Sequence, residues 1–293
     1  MSRAGRAHRI VSTAAYGGGG AVGLLGGALG LLLAQTLLAR RRVGKPQIVP
    51  FPVDGRYGAT PQPTGTRAPL RMAMLGDSGG AGLGAAEPDD TPAVLVAQGL
   101  AAESGRPVDL VNLSVVGAQT ADVMRQVDAV LAAWDGAGPD IAVVMVGAND
   151  VTHAVLPQVS VRHLTTVVRV LVEHGCIVVV ACCPDLGTVE PVPQPLRTVG
   201  RRLSRTLAAA QALAAVQAGG HAVELGAILG PEFAAMPGEY FSEDRFHPSS
   251  VGYRRCAEVI LPTVLHALGL AGPPELVPGP DPARYPDISE RQP

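Results

Sequence analysis

The chain has 293 residues, 47 % of them hydrophobic, and a formal net charge of −2. That charge is unevenly spread: residues 1–45 hold seven basic residues and no acid, which leaves 16 basic against 25 acidic residues in the rest, a balance that excludes a nucleic-acid partner. The four cysteines (Cys176, Cys182, Cys183, Cys256) have no metal-ligand spacing, and three fall in or beside one apolar run, so they read as small buried hydrophobes rather than a disulfide framework.

Residues 10–39 carry no charge, are rich in Gly, Ala and Leu, and end at Arg40-Arg41-Arg42. A run of this length can cross a bilayer, and its end in Leu37-Leu38-Ala39 suits an uncleaved anchor better than a signal peptide. Residues 1–42 are therefore expected to form a transmembrane anchor, with membrane contact through 10–39. Gly18 to Gly23 also match a dinucleotide fingerprint, but no strand precedes them and no acid follows at the required distance, so that reading fails. Residues 43–69 are dense in Pro and Gly and read as an extended tether; 271–293 read as a Pro-rich tail.

Between these ends, over 70–270, apolar β-type runs alternate with helical patterns. Strands are predicted at 70–75, 108–113, 141–146, 177–181 and 221–225, and helices at about 91–103, 120–133, 159–174, 196–218 and 249–268. Ile141 to Val146 and Ile177 to Val180 are apolar throughout, the pattern of strands covered on both faces. The alternation predicts a three-layer α/β/α domain around a parallel five-stranded sheet, with ligands beyond the carboxyl ends of the strands.

Four segments with chemical potential occupy those ends. Gly76-Asp77-Ser78 follows the first strand, Gly117 the second, and Gly147-Ala148-Asn149-Asp150 the third; Asp244-Arg245-Phe246-His247 precedes the last helix. Each has a plain alternative. Ser78 suits a turn or helix cap, Asn149 a turn, and Asp244 with Ser249 or Ser250 a helix start. Glycines around Ser78 could cradle phosphate, but the Walker spacing is absent and Lys45 is the only lysine. Against these, a carboxylate three residues before a histidine can reach the ring Nδ1–H, fix the tautomer, and leave Nε2 to take a serine proton. Gly117 can bring a backbone N–H close to a substrate, and Asn149 can donate to an oxyanion.

Taken together, Gly76-Asp77-Ser78, Asn112 through Gly117, Gly147 through Asp150, and Asp244 through Ser249 resemble the four blocks of the SGNH hydrolases, also called GDSL esterases and lipases, over about residues 70–270. The resemblance implies a flavodoxin-like fold and a serine esterase or lipase working through an acyl-enzyme. Ser78 would be the nucleophile, His247 the base, and Asp244 its orienting carboxylate. The Ser78 N–H, Gly117 N–H and Asn149 side chain would form the oxyanion hole. Neither metal nor cofactor is implied, and the substrate would be a small-molecule, lipid or sugar ester. Acyl transfer to a sugar or lipid hydroxyl at the same site, or a catalytically silent tethered binding protein, are the alternatives. The family pattern departs at Gly79-Gly80-Ala81, where many members carry a polar residue and then Thr or a similar side chain. The Arg-rich, Lys-poor composition with an anchor is similar to that of envelope esterases whose catalytic domain lies outside the cytoplasm.

Overall fold

The computed structural model describes residues 49–58 and 68–274, with positions 30, 31, 34, 35 and 38. Six strands form one sheet: β1 Gly55–Tyr57, β2 Leu70–Gly76, β3 Val108–Asn112, β4 Ile141–Met145, β5 Ile177–Ala181 and β6 His221–Val223, in the spatial order β1-β3-β2-β4-β5-β6. The helices are α1 Pro92–Ser104, α2 Val123–Ala133, α3 Ala148–Thr152, α4 Pro157–Glu173, α5 Leu196–Gln217, α6 Leu225–Ala235, α7 Pro237–Tyr240 and α8 Ser250–Ala267.

The five strands β2–β6 run parallel, but the sheet is mixed, because β1 pairs antiparallel with β3. The expectation of a wholly parallel five-stranded sheet is corrected on this point. β1 falls within the stretch expected to be a tether, and its sequence, Gly-Arg-Tyr, has no apolar run that could reveal it. Tyr57 packs against the core, and polar contacts add to the hold. Arg56 makes a two-pronged bond to Asp109 at 2.6 and 2.8 Å, and the Asp54 carboxylate accepts from Asn112 N–H at 2.8 Å.

Alternate residues of each central strand enter opposite cores. Met72, Met74, Ile141, Val143 and Val179 pack with α1, α6 and α8; Ala73, Leu75, Ala142, Val144 and Val180 pack with α2, α4 and α5. Burial on both faces explains why β4 and β5 are continuously apolar. Helices α3, α6 and α7 do not stand out in the sequence. α6 is apolar nearly all round, with Gly226, Gly230 and Pro231 inside it, so it shows no amphipathic stripe.

The expected transmembrane helix is also corrected. Among the described residues no helix is long and apolar enough to cross a membrane. Most of 10–39 lies outside the described residues, as do 59–67 and 275–293 of the expected tether and tail. Gln35, inside the expected span, is buried against the folded body: its amide donates to the Gln194 carbonyl and accepts from Leu196 N–H at 3.0 Å. An amide bonded into the domain in this way is not a lipid-facing residue.

Candidate active site

Strand β2 ends at Gly76, where the chain must turn sharply under β4. Gly76 has φ +133, and a Cβ there would lie 1.8 Å from the Met145 carbonyl oxygen, so only glycine fits. The turn is fixed by Asp77 N–H donating to the Met145 carbonyl at 2.9 Å and by Leu83 N–H donating to the Ser78 carbonyl at 3.0 Å. Ser78 is thereby held at the carboxyl edge of the sheet, 9 % exposed.

His247 approaches from the segment before α8. The 241–249 turn is closed by Ser242 N–H bonding to the His247 carbonyl at 2.9 Å and Ser249 N–H to the Tyr240 carbonyl at 2.9 Å. Ser249 then caps α8, its hydroxyl accepting from Gly252 N–H at 3.2 Å. Inside the turn, Asp244 Oδ1 accepts from Ser242 Oγ, Phe246 N–H and His247 N–H at 2.8–2.9 Å, while Oδ2 meets His247 Nδ1 at 2.5 Å. Arg245, between them, takes a left-handed φ of +56, a strained conformation for a non-glycine residue that the surrounding bonds enforce. His247 Nε2 lies 2.9 Å from Ser78 Oγ. The structure thus brings Ser78, His247 and Asp244 into one chain of hydrogen bonds.

Burial alone would raise the Asp244 carboxyl, but the bonds from the His247 ring and from the His247 and Phe246 N–H groups outweigh it and hold the group down at about 2. Asp244 is therefore ionised at neutral pH and can keep a proton on His247 Nδ1.

Gly117 and Asn149 lie at the ends of β3 and β4. Gly117 is exposed, with φ +84 and open space where a Cβ would be. Asn149, half-buried in the first turn of α3, donates through Nδ2 to the Ala118 carbonyl at 3.0 Å. That contact joins the two loops next to Gly117. The amide group carries two N–H donors, so one remains beyond the Ala118 bond.

Further residues support the site, and two of them, Gln126 and Gln211, carry no signal in the sequence. Gln126, buried on α2, bonds both the N–H and the carbonyl of Gly76, at 2.7 and 2.8 Å, standing in for a neighbouring strand where β2 leaves the sheet. Gln211, fully buried on α5, does the same between β4 and β5, bonding the Val146 carbonyl at 3.1 Å and Cys183 N–H at 2.8 Å. Asp150 Oδ2 accepts from Thr120 N–H and Oγ1 at 3.1 and 3.0 Å, tying the Asn149 loop to the Gly117 loop. Asp77 is buried beside Ser78; burial pushes its carboxyl up to about 6, partly offset by N–H bonds from Gly79 and Gly147. A glutamine in a helix looks like a surface residue until the fold shows which way it points.

A cavity of about 110 Å³ opens beside Ser78 and His247 and runs beneath α6. The four cysteines are buried and free, and burial pushes the thiols of Cys176, Cys182 and Cys256 up to about 12, in keeping with inert packing residues. Among the described residues, no three His, Cys, Asp or Glu side chains are grouped to hold a metal.

An α/β sheet with a serine and a histidine meeting at its carboxyl edge defines a class, and the sequence matches it directly. Residues 74–255 match the GDSL-like Lipase/Acylhydrolase family, so the chain belongs to that family and is a carboxylic ester hydrolase. It is 39 % identical over 247 residues to the GDSL-like esterase Rv1075c of Mycobacterium tuberculosis, an alignment covering 83 % of this chain and 78 % of that protein. Its fold is similar to that of TesA (TM-score 0.55, 21 % identity, 67 % of this chain and 99 % of that one). A catalytic mutant of Axe2, an acetylxylan esterase from Geobacillus stearothermophilus, is also similar (TM-score 0.54, 18 % identity, 69 % and 95 %).

Proposed function

We propose that the chain hydrolyses esters through a covalent acyl-enzyme on Ser78. The observation that carries this reading is the continuous path from Ser78 Oγ through His247 to Asp244, at 2.9 and 2.5 Å. In the first half-reaction, Ser78 Oγ forms a bond to the ester carbonyl carbon while its proton passes to His247 Nε2. The carbonyl electron pair moves onto oxygen, where the Ser78 N–H, the Gly117 N–H and the second Asn149 N–H receive it. Collapse of this intermediate breaks the bond to the alcohol oxygen, which takes the proton from Nε2. Water repeats the sequence on the acyl-enzyme and releases the acid. Asp244 stays ionised throughout, fixing the imidazole tautomer and stabilising the imidazolium as it forms.

The test is partitioning of a common intermediate. Esters of one acid with different alcohols, hydrolysed in water containing methanol, should give one fixed ratio of acid to methyl ester, whatever the leaving group. A ratio that changes with the leaving group would remove the acyl-enzyme. Dominant transfer to an added sugar or lipid hydroxyl at low acceptor concentration would make acyl transfer the main reaction of the same intermediate.

A further inference from the structure

Aromatic residues make up only 3 % of the chain, which has four phenylalanines. Three of them, Phe233, Phe241 and Phe246, line the cavity beside Ser78, with Leu225 and Leu229 from the same helix as Phe233. Polar side chains in that wall, the catalytic pair aside, are bonded within the fold. Asp185 accepts from Gly187 N–H at 2.8 Å and from Arg205 Nε at 3.1 Å; Thr188 Oγ1 donates to the Asp185 carbonyl at 2.7 Å. Tyr253 OH donates to the Leu83 carbonyl at 2.7 Å, and Asp77 accepts from Gly79 N–H at 2.9 Å. A ligand here meets a wall that recognises it through apolar burial.

The wall is also rigid. The Phe233 ring stacks on Tyr240 with centroids 5.0 Å apart, and Phe241 meets it edge-on at 5.2 Å. On its far side Phe233 abuts α8: a Cβ at Gly252 would lie 3.2 Å from the ring tip. Its remaining side faces the cavity.

We propose that this cavity takes the acyl chain of the ester and limits it to about four to six carbons, with Phe233 as the limiting residue; the size follows from about 110 Å³ here against about 150 Å³ for an apolar cavity that holds benzene. This rests on Ser78 being the acylated nucleophile. The acyl group stays bonded to Ser78 until water arrives, and this cavity adjoins Ser78. The departing alcohol needs a path to solvent, and on the proposed oxyanion side Val115, Val116 and Gly117 are exposed.

The experiment is a series of p-nitrophenyl esters from acetate to laurate on the full chain, with a matching series of butyrate esters of different alcohols. In the acyl series kcat/KM should rise about fourfold per methylene, then fall once the chain exceeds the cavity. The alcohol series should be nearly flat. Phe233→Leu should move the optimum to longer acyl chains, and Leu229→Phe to shorter ones. An acyl series without an optimum, an optimum at laurate, or an optimum carried by the alcohol series would overturn the proposal. So would folded Phe233→Leu and Leu229→Phe proteins that both keep the wild-type optimum; should Phe233→Leu not fold, Leu229→Phe and the wild-type series decide. These failures leave the nucleophile standing, because the enzyme still cleaves esters. Failure to cleave any ester, with no fluorophosphonate adduct on Ser78, would instead overturn the nucleophile and the chain-length proposal with it.

Discussion

The two sides of Ser78, the proposed base and the proposed oxyanion hole, are held in different ways. The Asp244–His247 arm comes from one short turn, in which a single carboxylate accepts four hydrogen bonds and the ring already touches Ser78 Oγ. The Gly117–Asn149 arm comes from two loops that leave different strands and are joined through the Ala118 carbonyl and through Asp150 to Thr120. The first arm is local and closed. The second is assembled across the sheet and depends on distant groups, including the glutamines that hold the ends of β2 and of β4 and β5. Local geometry is therefore expected to protect the Asp244–His247 arm from remote substitutions, whereas the Gly117–Asn149 arm should respond to them.

Substitutions separate the two arms by size of effect. Ser78→Ala should abolish ester cleavage, a loss of about 10⁶ in kcat, read in steady-state assays on folded protein. Asp244→Asn should lower kcat by about 10⁴, because the imidazole loses its tautomer control. Asn149→Ala should cost about 10²–10³ in kcat with little change in KM, the scale of one oxyanion donor. If Asn149→Ala matched Asp244→Asn, the contrast between the arms would fail. Gln126→Ala leaves the buried N–H of Gly76 unpaired, while its carbonyl keeps the bond from Val115 N–H; urea unfolding should show a loss of about 1–3 kcal/mol.

The pH dependence differs in sign between the two aspartates beside the site. Asp244, held at about 2, contributes stability that is complete above its ordinary value and is lost as pH falls through about 2. Asp77, raised to about 6, does the reverse: its contribution is complete below its ordinary value and is lost as pH rises through about 6. The stability of Asp77→Asn relative to the parent should therefore climb between about pH 4 and 6. Denaturant midpoints measured across that window check it, and a flat difference would show that Asp77 is not raised.

How much of this was legible in the sequence follows from what each part uses to hold itself. The central strands β4 and β5 were readable because burial on both faces forces apolar runs such as Ile141–Met145. The spacing of Asp244 and His247 was readable because three residues suffice to bring carboxylate and ring together. β1 was not, since Arg56 and Asp109 hold it from outside any apolar pattern. Gln126 and Gln211 were not, since an amide can replace a strand neighbour only where the fold directs it inward. Residues 10–39 misled: a charge-free, Leu- and Gly-rich run fits a bilayer on composition, yet Gln35 bonds to the start of α5.

Ser78 is the residue proposed to become acylated. Treating the folded chain with a fluorophosphonate and mapping the adduct by peptide mass spectrometry tests it directly. The account predicts one adduct per chain, on Ser78, absent from Ser78→Ala. An adduct on a different side chain, or none on protein that still cleaves esters, would contradict it.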